Sequence, residues 1–186
     1  SGERFAMRPV GRVVDDLVRL RTLVRDRVPW YRQGMFVFLD NNIGGNPRYL
    51  RELAEAVQPL GIRWGSCITF NAATNAELVG TLARSGCRFL YVGLESFNPA
   101  TLQRMNKRHN VIQKTRAMIR LCQAHGILLD AGLMLSPDSD DLSYIETIPH
   151  LLDDCGLIVP SYICFETPLP GTPLFSQMAS ATPPRL

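Results

Sequence analysis

Residues 85–96 read SGCRFLYVGLES, and this stretch decides the fold class. Its opening Ser-Gly pair ends a helical pattern, because glycine tolerates the left-handed conformation in which helices commonly stop. The apolar run 88–94 follows at once and predicts a buried strand. Polar Glu95 and Ser96 end that strand. One unit of an α/β fold is indicated by this succession of a helix end, a glycine, a buried strand and a polar strand end.

The same unit recurs along the chain. Five strands are predicted at 35–39, 62–70, 88–94, 127–135 and 157–165, spaced roughly as βα units are. A helix-ending glycine stands directly before four of them. These glycines are Gly61, Gly86, Gly126 and Gly156.

The predicted strands are continuously apolar, which favours an all-parallel sheet covered on both faces. Five units are too few for a closed eightfold barrel, which takes about 250 residues. The predicted fold class is therefore α/β with an open or partial (β/α) barrel. A flat doubly wound sheet is the alternative. That fold normally carries G-x-G-x-x-G after its first strand, a pattern that Gly44 and Gly45 do not form.

Composition excludes several classes of protein. The chain is 46% hydrophobic and 20% charged with a net charge of +3, which is typical of a globular domain and gives no reason to expect nucleic acid. No apolar run approaches the roughly 18 residues of a membrane span, and the start lacks a signal peptide's apolar core. We therefore expect a cytoplasmic protein. Its five widely spaced cysteines predict buried small side chains, not a metal site or a disulfide framework.

Polar residues follow every predicted strand. Ligand sites of parallel α/β folds lie at the carboxyl ends of the strands, so these residues predict one rim that binds a polar small molecule. Each also has a structural interpretation, such as a helix cap at Asp138 or an ion pair between Glu95 and an arginine. The rim residues in chain order are Asp40, Asn41, Asn42, Asn71, Glu95, Ser96, Ser136, Pro137, Asp138 and 166–173.

Four of these strand ends, in this order, resemble the radical S-adenosylmethionine (SAM) superfamily, and most closely the branch often joined to a cobalamin-binding domain. They are residues 39–42, 92–96, 131–136 and 165–173, supported by 98–108 directly after Gly-Leu-Glu-Ser. The resemblance covers about residues 8–175. It implies a partial (β/α) barrel of the radical SAM type, whose five predicted strands correspond to the second to sixth of six. The barrel then occupies 1–176, and 177–186 is a loose tail.

The resemblance also implies cofactors and partners. Members bind SAM and a [4Fe–4S] cluster held by Cys-x3-Cys-x2-Cys, and reductive cleavage of SAM yields a 5′-deoxyadenosyl radical, or a radical-type transfer, that acts on a small-molecule substrate. An electron donor such as flavodoxin or ferredoxin is implied, as is cobalamin on a separate domain. The cysteine motif is absent here. We therefore expect a fragment of a longer enzyme, inactive by itself because it does not hold the cluster.

Eleven residues match family positions near SAM. A carboxylate at Asp40 suits the SAM ammonium, whereas the segment that holds Gly132, Met134 and Leu135 is implied to lie along the adenine through its backbone. No catalytic residue and no metal ligand is identified. The alternative function is a non-catalytic α/β module that binds a nucleotide or a partner protein at the same rim. The implied SAM residues are Asp40, Asn41, Asn42, Asn71, Glu95, Ser96, Gly132, Met134, Leu135, Thr167 and Pro168.

Overall fold

A computed structural model describes residues 6–29, 35–107, 112–157 and 160–181. In these ranges five strands pair in parallel, in the order of the chain, to form a half-barrel. A doubly wound sheet reverses its strand order near the middle, so that alternative is wrong and the partial barrel is confirmed. The strands are β1 (Phe36–Phe38), β2 (Trp64–Ile68), β3 (Cys87–Glu95), β4 (Leu128–Leu135) and β5 (Tyr162–Phe165).

The described residues also form eight α-helices. Most of them connect consecutive strands and pack on one side of the sheet, as parallel pairing requires. None of them is long and apolar enough to cross a membrane. The helices are α1 (Val10–Arg27), α2 (Pro47–Val57), α3 (Phe70–Ala73), α4 (Ala76–Arg84), α5 (Pro99–Arg104), α6 (Ile112–Ala124), α7 (Leu142–Cys155) and α8 (Pro173–Ala179).

All four glycines predicted to end helices have positive φ, from 61° at Gly61 to 95° at Gly86. Two helix predictions differ from the structure. The N-cap of α7 is Asp141, whose side chain accepts from the Tyr144 amide, and not Asp138. Helix α8 continues through Ala179, three residues into the stretch assigned to a tail, while 182–186 lie outside the described residues.

The apolar core lies between the sheet and the helices. Along β3 the side chains at 90, 92 and 94 are buried against helices, whereas those at 89, 91, 93 and 95 are only half-buried. Strand β4 alternates in the same way, with 129, 131 and 133 in the core. The prediction that both faces are covered is therefore wrong for this sheet. Alternate positions, which include Tyr91, Glu95 and Asp130, face the open concave side.

We call this concave side the inner face. Strand register arranges its side chains in levels, as in the interior of a barrel. The level nearest the amino ends of the strands, called the lowest level below, aligns Val37, Gly65, Phe89 and Leu128. The next level towards the carboxyl ends holds Tyr91 and Asp130. The level above aligns Gly93, Gly132 and Tyr162, directly below the carboxyl ends of the strands.

Candidate functional site

A pocket of about 530 Å³ opens at the carboxyl ends of the strands and is called the rim pocket below. It brings a carboxylate, an ammonium group, side-chain amides and two phenols together from β3, β5 and three connecting segments. Such convergence of polar groups in a concave site is typical of small-molecule binding. The pocket is lined by Asn41, Ile68, Thr69, Phe70, Asn71, Tyr91, Gly93, Glu95, Asn106, Lys107 and Tyr162.

Glu95 is the last residue of β3 and has a φ of 69°, which is unusual for a residue with a side chain. The register between β3 and β4 shifts at this point, between Gly93 and Glu95. The carboxylate lies over Gly93, where an added Cβ would be 2.7 Å from Oε1. The backbone and the missing side chain of Gly93 thus aim Glu95 into the rim pocket.

Lys107 supplies the positive charge of the rim pocket. Its Nζ lies 3.4 Å from Glu95 Oε1, so the predicted ion-pair partner of Glu95 is a lysine and not an arginine. The turn after α5 brings it there, with Asn106 at a φ of 57° and the Lys107 amide bonded to the Leu102 carbonyl. Asparagine tolerates this left-handed conformation better than most residues. Neither Asn106 nor Lys107 directly follows a strand, so the strand-end pattern does not predict a role for them.

Arg104, at the end of α5, ties two strand ends together at the rim. Its guanidinium donates to the Ser136 hydroxyl after β4 and, at 2.5 Å, to the Glu166 carboxylate after β5. The hydrogen bond to Glu166 raises the pKa of Arg104, so this cation stays charged. We call these two hydrogen bonds the clamp. Because Arg104 is the last residue of α5, the clamp also holds the turn that carries Lys107.

Arg104→Ala is expected to lower the free energy of unfolding by about 1 kcal/mol, because the Glu166 carboxylate loses its charged partner. For a chain of this size the melting temperature then falls by about 3 °C. Thermal unfolding followed by circular dichroism measures this effect. Arg25→Ala is the matched control, since the exposed Arg25 pairs with its sequence neighbour Asp26 on α1 and lies away from the rim. Equal melting temperatures for the two variants would show that the clamp does not stabilise the rim.

Three of the eleven implied SAM residues line the rim pocket, namely Asn41, Asn71 and Glu95. Gly132 lies next to the pocket on β4, under the rings of Tyr91 and Tyr162. Met134 shares the strand face of Gly132 and is half-buried.

The other implied residues have different surroundings. Asp40 lines a neighbouring pocket of about 360 Å³ that Arg8 and Tyr49 also line. The Ser96 hydroxyl is buried and bonds to the Tyr144 hydroxyl at 2.9 Å, on the helix side of the sheet.

Four more implied residues also lie away from the rim pocket. The Asn42 side chain accepts from the Gly44 amide and caps a short 3-10 turn. Leu135 packs towards α7 on the outer side of the sheet. Thr167 donates to the Phe165 carbonyl, and Pro168 follows it. The rim pocket thus contains three of the eleven residues, and a role of any of them in SAM binding stays a prediction.

Tyr91 and Tyr162 were missed by the sequence analysis. Their rings stack with centroids 5.8 Å apart, and the Tyr91 hydroxyl donates to the Tyr162 oxygen at 2.6 Å. Burial, reinforced by this hydrogen bond, raises the pKa of Tyr91 far above that of a free phenol. The alternation of side chains along a strand could have revealed Tyr91, because it stands four residues before Glu95 on one strand and so faces the same side.

The cysteines are free thiols, and three of them are buried on the helix side. Burial raises the pKa of Cys87 to about 12 and that of Cys122 to about 11, so their thiolate forms are disfavoured. Cys67 and Cys164 are half-buried, so the prediction of buried cysteines holds for three of five. Within the described ranges, no three His, Cys, Asp or Glu side chains are grouped as a metal site.

Comparison with known proteins found relatives by sequence. No protein-family model matches the chain. Bacteriochlorophyllide d C-12(1)-methyltransferase of Chlorobaculum tepidum is 30% identical over 178 residues, which are 95% of this chain and 38% of the relative. Hopanoid C-2 methylase of Rhodopseudomonas palustris is 24% identical over 152 residues, covering 78% of this chain and 29% of the relative. The chain therefore spans less than two fifths of these curated relatives.

Solved structures show the same fold. A radical SAM methyltransferase, TsrM from Kitasatospora setae, solved with cobalamin and a [4Fe–4S] cluster, superposes with a TM-score of 0.68 at 17% identity and covers 95% of this chain and 34% of its own. The cobalamin-dependent SAM radical enzyme OxsB gives 0.59 at 16% identity, with coverages of 96% and 32%. These solved structures share the fold of this chain, and together with the sequence relatives they confirm the resemblance to radical SAM enzymes that the strand ends predicted.

Proposed function

We propose that this chain binds SAM in the rim pocket, as part of a longer enzyme of the radical SAM methyltransferase type. The observation that carries the proposal is the pairing of Glu95 with Lys107 at the mouth of a pocket where the strands end. A carboxylate and an ammonium group side by side complement a zwitterionic amino acid, which is the polar end of SAM.

The residues of the rim pocket fit SAM in size and charge. A volume of about 530 Å³ lies within the range of small-molecule sites. The ion pair is loose at 3.4 Å, and the Lys107 and Glu95 side chains are 42% and 24% exposed, so a ligand can replace each partner without leaving a buried charge unpaired. The amides of Asn41 and Asn71 add donors and acceptors for the ribose and the adenine.

The cysteines of this chain do not fit a [4Fe–4S] cluster. Such clusters are held by several cysteine thiolates, whereas the cysteines here are widely spaced in the sequence and burial keeps Cys87 and Cys122 protonated. We therefore assign to this chain the binding and orientation of SAM, and we propose that it is inactive alone. The cluster ligands, a flavodoxin or ferredoxin electron donor and any cobalamin domain are assigned to other segments or partners of the parent enzyme.

The inner face favours a large and mostly apolar acceptor of the methyl group. Val37 and Leu128 are 54% and 65% exposed on the lowest level of this face, and Phe89 lies between them in register. Exposed apolar side chains in a concavity indicate a ligand that covers them. Two relatives are a bacteriochlorophyllide methyltransferase and a hopanoid methylase, names that agree with this proposal.

Isothermal titration calorimetry with S-adenosylhomocysteine tests SAM binding, since this analogue keeps the adenosine and the amino acid. Lys107→Met is expected to weaken binding about tenfold, because one charged hydrogen bond is lost. Lys114→Met is the matched control, since Lys114 is exposed on α6. Adenosine is expected to bind more weakly than the full analogue. Equal affinities for adenosine and S-adenosylhomocysteine, with no effect at Lys107, would instead support a nucleotide-binding module.

A further inference from the structure

Helix α5 is short, and polar contacts hold most of it at the rim. Of its six residues, Thr101 and Leu102 alone are buried, so the helix adds little apolar surface to the core. A helix of this length is unstable by itself in water. The position of α5 therefore depends on its hydrogen bonds to neighbouring segments, and so does the position of Lys107, which follows it closely.

The carboxylate of Asp140 joins the start of α5 to the loop after β4. Its Oδ1 accepts from the Asn98 side-chain amide and from the Thr101 hydroxyl, both at 2.7 Å. Its Oδ2 accepts from the Ser136 backbone amide at 2.6 Å. Asn98 is the N-cap of α5, and Thr101 lies fully buried in the first turn. A single side chain thus fixes the first turn of α5 to the end of β4.

Ser136 connects this carboxylate to the other end of α5. Its backbone amide donates to Asp140, and its buried hydroxyl accepts from Arg104, the last residue of the helix. Both ends of α5 are therefore attached to one segment, residues 136–140. The turn that carries Lys107 into the rim pocket begins directly after the second attachment.

We propose that Asp140 is a positioning residue, which holds α5 so that the Lys107 ammonium stays beside Glu95 in the rim pocket. Among the described residues Asp140 does not line this pocket, so it acts through α5. An ammonium group that is already in place spares a ligand the entropic cost of ordering a long side chain. The consequence for SAM binding rests on the proposed function, whereas the placement of Lys107 does not.

The placement of Lys107 can be measured without a ligand, because Lys107 and Lys114 are the only lysines of the sequence. Reductive methylation with ¹³C-formaldehyde labels these two side chains and the amino terminus for NMR, and Lys107→Met assigns the Lys107 signal. Asp140→Asn loses at least one of the three hydrogen bonds, since its amide nitrogen faces a donor. We expect the Lys107 signal to move towards that of the exposed Lys114, in the direction that Glu95→Gln also produces.

A double-mutant cycle with S-adenosylhomocysteine provides the second readout. In calorimetry Asp140→Asn is expected to weaken binding about threefold, as the cost of ordering one mobile side chain implies. The same substitution is expected to have no further effect in the Lys107→Met background, because the two residues act through one ammonium group. A general loss of stability would not produce this coupling.

Asp141→Ala is the matched control for Asp140→Asn. Asp141 is the sequence neighbour but caps α7 instead of α5, so its loss destabilises the protein without releasing Lys107. The lysine signals and the affinity are expected to stay at the wild-type values. Thr101→Val is the second test variant, since it removes one donor to Asp140 and keeps the side-chain shape. It is expected to move the Lys107 signal in the same direction, and it decides the question if Asp140→Asn does not fold.

Three results would overturn the inference. They are a Lys107 signal that stays at its wild-type position in Asp140→Asn and Thr101→Val, an equal movement in Asp141→Ala, and losses of affinity that add in the double mutant. A wild-type chain that does not bind S-adenosylhomocysteine, with a Lys107 signal that still depends on Asp140, would reject the proposed function and retain the positioning role.

Discussion

Gly86→Ala is expected to lower the free energy of unfolding by about 4 kcal/mol, the largest loss among the helix-ending glycines. Gly86 has a φ of 95°, and a Cβ there would lie 2.0 Å from the backbone carbonyl oxygen of Ile62. The left-handed conformation costs about 1–2 kcal/mol for a residue with a side chain. Moving the backbone of Ile62 costs about 1–3 kcal/mol more.

The strain at Gly86 also reaches the strand pairing. The Gly86 carbonyl accepts from the Trp64 amide at 3.0 Å, at the point where β2 and β3 begin to pair. The indole of Trp64 donates to the Ser85 carbonyl at 3.1 Å inside the core. A shift of Gly86 therefore disturbs one backbone hydrogen bond and one buried side-chain hydrogen bond together.

Gly126→Ala is the matched control for Gly86→Ala. Gly126 has a φ of 68°, but an added Cβ would meet nothing within 4 Å. The expected loss is about 1 kcal/mol, from the backbone conformation alone. Thermal unfolding should place the midpoint about 10 °C below wild type for Gly86→Ala and about 3 °C below for Gly126→Ala. Equal midpoints would mean that the contact with Ile62 relaxes without cost.

The comparison of these two glycines shows how far the sequence can predict the fold. Each follows a helical pattern and precedes an apolar strand, so the sequence identifies both as helix ends and locates the strands to within a few residues. Nothing local distinguishes Gly86 from Gly126. The carbonyl of Ile62 approaches Gly86 because β2 and β3 pair in one register, and register is a tertiary property.

The inner face was missed for a different reason. Tyrosine and glycine count as apolar in a hydropathy pattern, so the stretch from Leu90 to Leu94 resembles a strand buried on both faces. In the structure Leu90 and Leu94 are in the core, whereas Tyr91 and Gly93 face the concavity. Counting side-chain size and hydroxyl groups together with hydropathy would have revealed the alternation.

Only one of the two charged residues of the rim pocket, Glu95, could be predicted from the sequence. Glu95 was found because it ends a strand, and strand ends in parallel sheets meet at one rim. Lys107 stands twelve residues further along the chain and reaches the pocket through α5 and the turn at Asn106. No periodic pattern connects the two residues, so only the tertiary fold places the ammonium group beside the carboxylate.

Glu95→Gly is expected to stabilise the protein and at the same time to weaken binding of S-adenosylhomocysteine about 100-fold. The φ of 69° at Glu95 is strained for a residue with a side chain and costs about 1–3 kcal/mol, whereas glycine adopts it freely. The ion pair with Lys107 is partly exposed and contributes little. After the higher backbone entropy of unfolded glycine is subtracted, the expected net gain is about 1 kcal/mol.

The loss of affinity follows from the same residue, because glycine removes the carboxylate that complements the ligand's ammonium or ribose hydroxyls. Glu95→Gln is the matched variant, since it keeps the strained backbone and the side-chain shape but removes the charge. It is expected to leave the unfolding free energy near that of wild type and to weaken binding about tenfold. Urea unfolding and calorimetry of the three proteins separate strain from charge. A Glu95→Gly variant less stable than wild type would show that the conformation at Glu95 is not strained, and unchanged affinity would remove Glu95 from the proposed SAM site.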